Sequence, residues 1–354
     1  MQSHKMKILM AAAAISATAL SWNGLAQTAQ KVVTFTGWGG VTQEAERKAY
    51  FESAKTTLAM TIREDSHNGY PSIKAHIGSG AVSWDVIGSS LADCDRATKD
   101  GLTQPIDYKI VDAKNLPKEF VRPNCVGVWT FSYGIAYRTD VFKAGGPKTW
   151  AEFWDVKKFP GRRSLFSNGR YLMEVALMAD GVAPADVYKV LQAPGGVDRA
   201  FKKLEQIKPH IAVWWGSQGQ AMQLLKDKEV DLILIANGRT AALQAEGVPV
   251  HFEFNQAVLD IEGFMVPKGA PNAKNAMELI NHSLQATPQA NLVKYIPYGP
   301  TNPKAYDTGI VTKAMLDKLP TAPGNLKRQA VLMPEWYSTP DGEKALARMA
   351  RLMQ

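Results

Sequence analysis

The sequence lacks the short motifs that mark most enzyme active sites. It contains no G-x-S-x-G nucleophile turn, no H-E-x-x-H zinc motif, no P-loop and no G-x-G-x-x-G dinucleotide fingerprint. Its six histidines are scattered without the spacing that metal ligands need. We therefore expect no catalytic residue, no metal site and no cofactor, and we expect a role in binding rather than in chemistry.

Cysteine is also scarce, with only Cys94 and Cys125 in the chain. Two cysteines without a nearby histidine cluster make a poor metal site. Because both lie in a part of the chain that we expect to be exported, our interpretation is a single disulfide, with two free thiols as the alternative.

Long apolar runs are absent after the N-terminus. The run Ile8–Leu20 is too short to span a bilayer, follows Lys5 and Lys7, and precedes small residues that end at Ala26. This pattern predicts a cleaved signal peptide over residues 1–26 and a soluble, periplasmic mature protein.

A concentrated charge of one sign is missing as well. The formal charge of +8 falls to +6 once Lys5 and Lys7 leave with the signal peptide, and the rest is spread along the chain. An exported protein without a basic stripe is not expected to bind nucleic acid.

The stretch Lys31–Glu52 carries the first positive signal. A short β-branched and aromatic run, Val32–Phe35, ends at a turn in which glycines flank Trp38, and a charged segment follows from Thr42. This order predicts a strand, a tight turn and a helix. The glycines, Gly39 among them, allow the backbone to approach a ligand closely, and the indole would stand at the mouth of a cleft. Trp38 as an ordinary core aromatic is the alternative.

The same order of strand, turn and helix recurs along the chain. Strands are predicted at Thr57–Arg63, Trp84–Ser90, Arg163–Phe166, Val213–Trp215 and Glu229–Ala236. Alternating strands and helices imply parallel pairing, and ligands bind beyond the carboxyl ends of parallel strands. The candidate ligand contacts at those ends are Ser89, Asn168, Tyr171, Trp215 and Asn237. For Ser89 and Ser90, a helix N-cap is an equally good interpretation.

Two extended segments are expected to cross between halves of the molecule. Val126–Arg138 is rich in aromatic and β-branched residues, and His251–Asp260 with Glu262–Pro267 forms a second such stretch. We therefore predict two α/β lobes with at least two crossings.

Several short turns occur in a fixed order and spacing along the chain: Phe35–Gly40, Ser79–Gly80 before Trp84–Val86, Pro147 with Thr149–Trp150, Phe159–Gly161, Asn237–Gly238 and Tyr298–Thr301. Together they resemble the turns of the spermidine/putrescine-type periplasmic binding proteins of ABC transporters. The resemblance covers essentially the whole mature chain.

The resemblance implies a type II periplasmic-binding-protein-like fold, in which hinge strands join two α/β lobes around a ligand cleft. Residues 27–138 and 261–305 would form lobe 1, residues 139–260 lobe 2, and residues 306–354 a C-terminal helical segment across both. The hinges would lie near Ile135–Asp140 and Asn255–Glu262. The implied protein is a monomer that delivers a small solute to an ABC transporter permease in the membrane.

The resemblance also assigns roles to single residues. Trp38 matches the family's first-loop tryptophan, Ser89 its strand-end serine, Asp260 its amine-binding aspartate and Tyr298 its late cleft tyrosine. In polyamine binders, carboxylates hold the ammonium groups and aromatic rings stack on the alkyl chain. The physical basis is that ion pairs and cation–π contacts offset the desolvation of an ammonium group.

The departures from the family pattern concern the ligand. Asn168 and Tyr171 stand where polyamine binders carry acidic residues, and Ala236 and Val258 replace tryptophans. One end of a diamine would lack its carboxylate, so within the class of polyamine-like and other amine-containing solutes we expect one with a single amine or quaternary ammonium group, or a short amine, more readily than spermidine, held by Asp260. A structural ion pair or helix cap is the alternative role for Asp260.

Two other functions remain open at this point. A protein of the same fold could bind an anionic or zwitterionic solute through Arg170, Arg239 and helix N-termini. An exported enzyme with an unrecognised site is the second.

Overall fold

The computed structural model describes residues 31–353. The predicted signal peptide, residues 1–26, lies outside the described residues. Within residues 31–353, none of the helices combines the length and the apolar character that crossing a bilayer requires.

The strands run, in chain order, β1 Lys31–Gly37, β2 Met60–Ser66, β3 Val86–Ser90, β4 Thr103–Gln104, β5 Cys125–Arg138, β6 Arg163–Phe166, β7 Ile211–Trp215, β8 Leu232–Ala236, β9 Val250–Pro267, β10 Gly299–Pro300 and β11 Ala330–Val331.

The α-helices are α1 Gly40–Glu46, α2 Glu52–Thr57, α3 Tyr70–Gly78, α4 Leu91–Lys99, α5 Trp150–Trp154, α6 Leu172–Ala179, α7 Val187–Leu191, α8 Gly196–Ile207, α9 Gln218–Lys226, α10 Asn237–Ala245, α11 Ala273–Ser283, α12 Ala286–Tyr295, α13 Lys313–Leu316, α14 Pro323–Leu326 and α15 Pro340–Leu352. A π-helical piece, Arg47–Phe51, joins α1 to α2, and short 3₁₀ helices cover Lys118–Phe120, Pro184–Asp186, Lys208–His210, Pro303–Thr308 and Pro334–Ser338.

The sheet has the strand order β2-β1-β3-β9-β5-β8-β6-β7, with β4 and β11 paired to β9 and β10 paired to β5. Parallel pairs lie on both sides, with β1 beside β2 and β3, and β6 beside β7 and β8. Strand β8 reads LILIA, pairs parallel with β6 and antiparallel with β5, and is wholly buried, as expected for a strand covered on both faces. The long antiparallel strands β5 and β9 separate the two sides and join them.

The pairing of β5 and β9 is interrupted at one place. Tyr133 pairs with Val258, whereas Ile135 pairs with Glu253, so β9 carries extra residues between these pairs. Gln256 lies in this bulge with a φ of 60°. The bulge is fixed by α5, because Trp150 donates 2.8 Å hydrogen bonds from its backbone N–H to Gln256 Oε1 and from its indole to the Gln256 carbonyl. It falls where the hinge strands are predicted.

Most of the predicted elements are confirmed, with shifted ends. The strand predicted at Thr57–Arg63 is wrong at its start, because α2 runs to Thr57 and the strand begins at Met60. Two consecutive threonines favour a strand by local propensity, but the preceding helix carries them into its last turn. Ser90 is the N-cap of α4 and accepts a hydrogen bond from the Asp93 backbone N–H, so the capping interpretation holds for Ser90.

The predicted disulfide is present and joins Cys94 of α4 to Cys125 of β5. Gly263 of β9 lies against both sulfurs, and a Cβ there would approach Cys125 Sγ to 2.5 Å. The bridge therefore ties helix α4 to the central pair of strands.

Candidate ligand-binding site

A narrow cavity lined mainly by aromatic rings lies at the ends of the parallel strands. The centre of a water molecule can move through about 20 Å³ of it, which is little more than one water molecule needs, so a larger solute requires the cavity to widen. Its rings belong to Trp38, Trp129, Phe131, Tyr133, Phe166, Tyr171 and Tyr298. Its charged side chains are Arg170, Arg239 and Glu262.

Strand β5 supplies one wall. Trp129, Phe131 and Tyr133 alternate along the strand and so lie on one face, with ring centroids 5.3 and 5.8 Å apart. The Tyr298 ring stacks on Trp129 at 4.5 Å. Successive rings along β5 meet edge to face, whereas Tyr298 is parallel to Trp129, and together they give the cavity an aromatic wall that alkyl chains and cations can contact.

Trp38 closes the cavity from the loop between β1 and α1. The predicted strand, turn and helix are confirmed, and Gly39 and Gly40 adopt φ values of 63° and 57°. These left-handed values favour glycine. Gly40 also admits a close neighbour, because a Cβ there would lie 2.9 Å from Arg239 Nη1.

Glu262 of β9 is the acidic group of the cavity. Its Oε1 accepts a 2.8 Å hydrogen bond from the Trp38 indole, whereas its buried Oε2 has no hydrogen-bond partner among residues 31–353. Burial raises the pKa of Glu262 well above its ordinary value, and the neighbouring carboxyl groups of Glu46 and Asp260 add to the rise. An ammonium group of a ligand would both bond the bare oxygen and favour the ionised carboxylate.

A second buried carboxyl group stands behind Glu262. Glu46 of α1 accepts a 3.2 Å hydrogen bond from the Trp129 indole, and burial raises its pKa to about 8. The nearby Tyr50 hydroxyl is buried without a partner in the described part of the chain. This side of the cavity therefore holds two buried carboxyl groups, and the charge of Arg239 is near enough to lower the pKa of Glu46.

Arg239 of α10 is the basic counterpart. Its side chain is only 3% exposed, and its Nη2 donates a 3.2 Å hydrogen bond to the Gly39 carbonyl. No ion pair within residues 31–353 includes Arg239. Burial lowers its pKa, but arginine stays protonated in proteins. A buried guanidinium without an anionic partner is suited to bind a carboxylate.

Arg170 is fixed by protein groups. It follows β6 in the turn before α6, where it donates a hydrogen bond to Ser90 Oγ and forms a 3.3 Å ion pair with Asp93. Ser89 in turn donates a 2.7 Å hydrogen bond to Asp93. Arg170 therefore connects the turn after β6 with the N-terminus of α4 while it lines the cavity.

Asp260 lies behind the cavity wall rather than in it. Its Oδ2 accepts a 2.7 Å hydrogen bond from the Tyr171 hydroxyl, and its Oδ1 accepts one of 2.6 Å from the Ile261 backbone N–H. Burial raises its pKa to about 6, while Arg170 and the Tyr171 hydrogen bond act in the opposite direction. Both carboxylate oxygens already have donors, and Asp260 does not belong to the cavity lining.

The other predicted contacts divide into two groups. Trp38, Tyr171 and Tyr298 line the cavity, and Asn168 lines a larger adjoining cavity that shares Trp38, Phe166 and Gln218 with it. Gly39, Ser89, Trp215 and Asn237 do not line the main cavity.

These residues support the site from behind. Trp215 is buried beneath Phe166 at 4.1 Å and donates its indole N–H to the Leu234 carbonyl. Asn237 accepts a hydrogen bond from the Ser132 backbone N–H and donates one to the Pro297 carbonyl. A direct ligand contact by any of them stays a prediction.

Sequence reasoning missed Glu262 and most of the aromatic wall. The wall had a readable signal, because Trp129, Phe131 and Tyr133 alternate as residues on one strand face do. The sequence signal for Glu262 was weaker: it lies two residues after Asp260 and therefore on the same face of β9.

Comparison with known proteins agrees with this architecture. Residues 49–320 match the family model described as bacterial extracellular solute-binding protein. A gamma-aminobutyric acid-binding protein of Pseudomonas aeruginosa is 35% identical over 327 residues, which are 91% of each chain.

Solved structures give the same result. An ABC transporter substrate-binding protein from Bradyrhizobium japonicum USDA 110 matches with a TM-score of 0.85 and 41% identity, over 92% of this chain and 100% of that one. The PBP MotA from A. tumefaciens B6, in complex with glucopine, matches with a TM-score of 0.87 and 32% identity, over 91% and 99% of the two chains.

Proposed function

Because this chain belongs to the bacterial extracellular solute-binding proteins and is the substrate-binding protein of an ABC transporter, we propose that its solute is a small zwitterion with an amine and a carboxylate at opposite ends. The two-lobed periplasmic-binding-protein fold expected from the sequence is confirmed. Its relatives are binding proteins rather than enzymes, which supports a non-enzymatic role.

One observation carries the proposal. Arg239 is a buried cation that forms no ion pair within residues 31–353, and Glu262 in the same cavity has a buried oxygen without a donor. Each unsatisfied group costs free energy that the opposite end of a zwitterion would recover.

The carboxylate end of the solute pairs with Arg239. A guanidinium offers several N–H donors in a planar fork that matches a carboxylate. Gln218 lies in the same lining, and its buried Oε1 has no hydrogen-bond partner in the described chain; as an acceptor it suits an N–H of the amine end and not the carboxylate.

The amine end pairs with Glu262. The faces of Trp38 and Tyr298 lie in the same cavity, and cation–π contacts contribute about 0.5 to 2 kcal/mol each. This assignment keeps the amine group and the aromatic rings expected from the sequence, but Glu262 takes the place of Asp260 as the residue that contacts the ammonium group.

The cavity opposes a polyamine. Arg170 and Arg239 would face the second ammonium group of a diamine, and like charges brought together in a desolvated site are strongly unfavourable. The named ligands of two relatives, gamma-aminobutyric acid and glucopine, agree better with an amino-acid-like solute than with spermidine.

We also propose that the lobes close over this solute with the boundaries predicted from the sequence. In that division, Arg170 and Arg239 of lobe 2 reach Asp93 and Gly39 of lobe 1, so both arginines bond across the cleft. The closed, loaded monomer in the periplasm would then deliver the solute to its permease.

Calorimetry with four ligands of equal chain length tests the proposal. The ligands are 4-aminobutyrate, butane-1,4-diamine, butylamine and butyrate. We expect a micromolar dissociation constant for 4-aminobutyrate, which corresponds to a binding free energy of about −8 kcal/mol. The other three ligands should bind at least about a hundredfold more weakly.

A variant with a matched control tests the role of Arg239. Arg239→Gln should weaken binding of 4-aminobutyrate at least about tenfold, while Arg199→Gln, which removes an exposed arginine, should leave it unchanged. Butane-1,4-diamine binding as tightly as 4-aminobutyrate would refute the zwitterion assignment.

A further inference from the structure

Tyr171, a residue of the cavity wall, has an unusual backbone conformation. It precedes α6 with a φ of 69° and a ψ of −17°. A residue with a Cβ rarely adopts this left-handed conformation, so surrounding contacts must hold it there. No side-chain cap supports the start of this helix.

The contact that holds it comes from the C-terminal segment. The backbone N–H of Tyr171 donates a 3.2 Å hydrogen bond to the hydroxyl of Tyr337, which is 166 residues further along the chain. Both tyrosines are buried. A backbone N–H at this depth would otherwise lack a partner.

The Tyr337 hydroxyl is oriented by a buried carboxylate. It donates to Glu174, whose two oxygens lie 2.7 and 2.9 Å away. With its proton directed at Glu174, the hydroxyl oxygen presents a lone pair to the Tyr171 N–H. Tyr188 donates a 2.5 Å hydrogen bond to the same carboxylate but has no bond to Tyr171.

Helix α15 supports the same turn at a second point. A Cβ on Gly169 would lie 3.1 Å from Leu346 Cδ2 and 3.3 Å from Met349 Cβ. The turn therefore rests closely on α15. The residues that follow Gly169 are Arg170 and Tyr171, and both line the cavity.

We propose that Tyr337 is a positioning residue for the ligand cavity: its hydroxyl fixes the backbone of Tyr171 and thereby the Tyr171 ring, which stacks on Tyr133 at 4.1 Å. The effect on binding rests on the proposed function, because it assumes that the solute occupies this cavity. The effect on the Tyr171 backbone does not.

Two variants that each remove one of the tyrosine hydroxyls bonded to Glu174 separate an effect on positioning from an effect on stability. Tyr337→Phe loses the bonds to Glu174 and to Tyr171, whereas Tyr188→Phe loses a bond to Glu174 and one with the Met333 backbone but none to Tyr171. We expect Tyr337→Phe to weaken binding of 4-aminobutyrate about threefold to tenfold and Tyr188→Phe to change it less than twofold. Both should lower the melting temperature.

Hydrogen exchange of the Tyr171 amide, followed by NMR in the protein without solute, provides a readout that is independent of the ligand. Exchange should accelerate at least tenfold in Tyr337→Phe and stay near the wild-type rate in Tyr188→Phe. Unchanged protection in Tyr337→Phe would overturn the proposal. If the amide exchange accelerates in Tyr337→Phe but the wild type does not bind 4-aminobutyrate, the positioning role is supported and only the proposed solute is contradicted.

If both variants weaken binding equally, the affinity change comes from lost stability around Glu174, and the link from Tyr337 to the cavity is refuted. Equal affinities in wild type and Tyr337→Phe refute it too.

Discussion

The indole of Trp38 donates a 2.8 Å hydrogen bond to Oε1 of Glu262, across 224 residues of sequence. This bond joins the first loop to the long strand β9 and uses one of the two carboxylate oxygens. The other oxygen stays buried and without a donor in the described chain. The cavity thus has a fixed carboxylate with one side free for a cation.

Glu262 and Asp260 should differ sharply when each is neutralised. Glu262→Gln removes the charge that faces the cavity and should weaken binding of 4-aminobutyrate roughly tenfold to a hundredfold, as for loss of a charged hydrogen bond. Asp260→Asn changes a group already bonded by Tyr171 and Ile261, so a smaller loss is expected. Titration calorimetry of both variants gives the comparison, and a larger effect of Asp260→Asn would restore the original assignment.

The stability of the protein should fall as the pH rises, because of Glu46. Its pKa of about 8 in the folded protein lies above its ordinary value of 4.5, so the folded state holds an extra proton between these limits. The free energy of unfolding therefore decreases with rising pH in that window, by at most about 1.4 kcal/mol per pH unit for one group.

Urea unfolding at pH 5 and pH 8 measures this slope. Glu46→Gln cannot take up the proton, and its slope should be shallower than that of the wild type. The hydrogen bond from Trp129 and the charge of Arg239 oppose the rise in pKa and so narrow the pH window in which stability falls. A wild type that gains stability relative to Glu46→Gln on going to pH 8 contradicts the assignment.

Asp93 should favour the closed conformation. Asp93→Asn weakens the buried ion pair with Arg170, and we expect reduced affinity together with a larger radius of gyration at half-saturating solute. Small-angle X-ray scattering measures the latter. Asp180→Asn, in an exposed pair with Arg199, is the control and should change neither quantity, because exposed ion pairs contribute little. Equal scattering curves for all three proteins would count against a closing role.

The disulfide should contribute strongly to stability. Cys94 and Cys125 are separated by 31 positions, and closing a loop of this length in the unfolded chain stabilises a protein by about 3 to 4 kcal/mol. Denaturant unfolding of the Cys94→Ala, Cys125→Ala double variant measures the loss. Adding a reductant should lower the free energy of unfolding of the wild type to a value similar to that of the variant, and should leave the variant unchanged. A loss of less than about 1 kcal/mol in the variant would contradict the prediction.

The local features of this site followed from the sequence. Trp38 was predicted in a cleft because glycines flank it after a β-branched run, and it lines the cavity. The helix N-caps at Ser90 and Thr149 and the alternation of strands and helices were also predictable, since each depends on neighbours within a few residues. Where local signals compete, as at Thr57, packing of the preceding helix decided the boundary.

The sequence by itself determined a two-lobed solute-binding protein with a disulfide and with Trp38 in a cavity lined by aromatic rings. An amine-binding carboxylate on the second crossing strand stays a prediction. Tertiary structure alone decided which carboxylate has a bare oxygen, because the donors that satisfy Asp260 include Tyr171, 89 residues away. It alone left Arg239 without an anion in the described chain. Whether a buried charge is satisfied depends on groups that folding brings together from distant positions, and no local pattern encodes that.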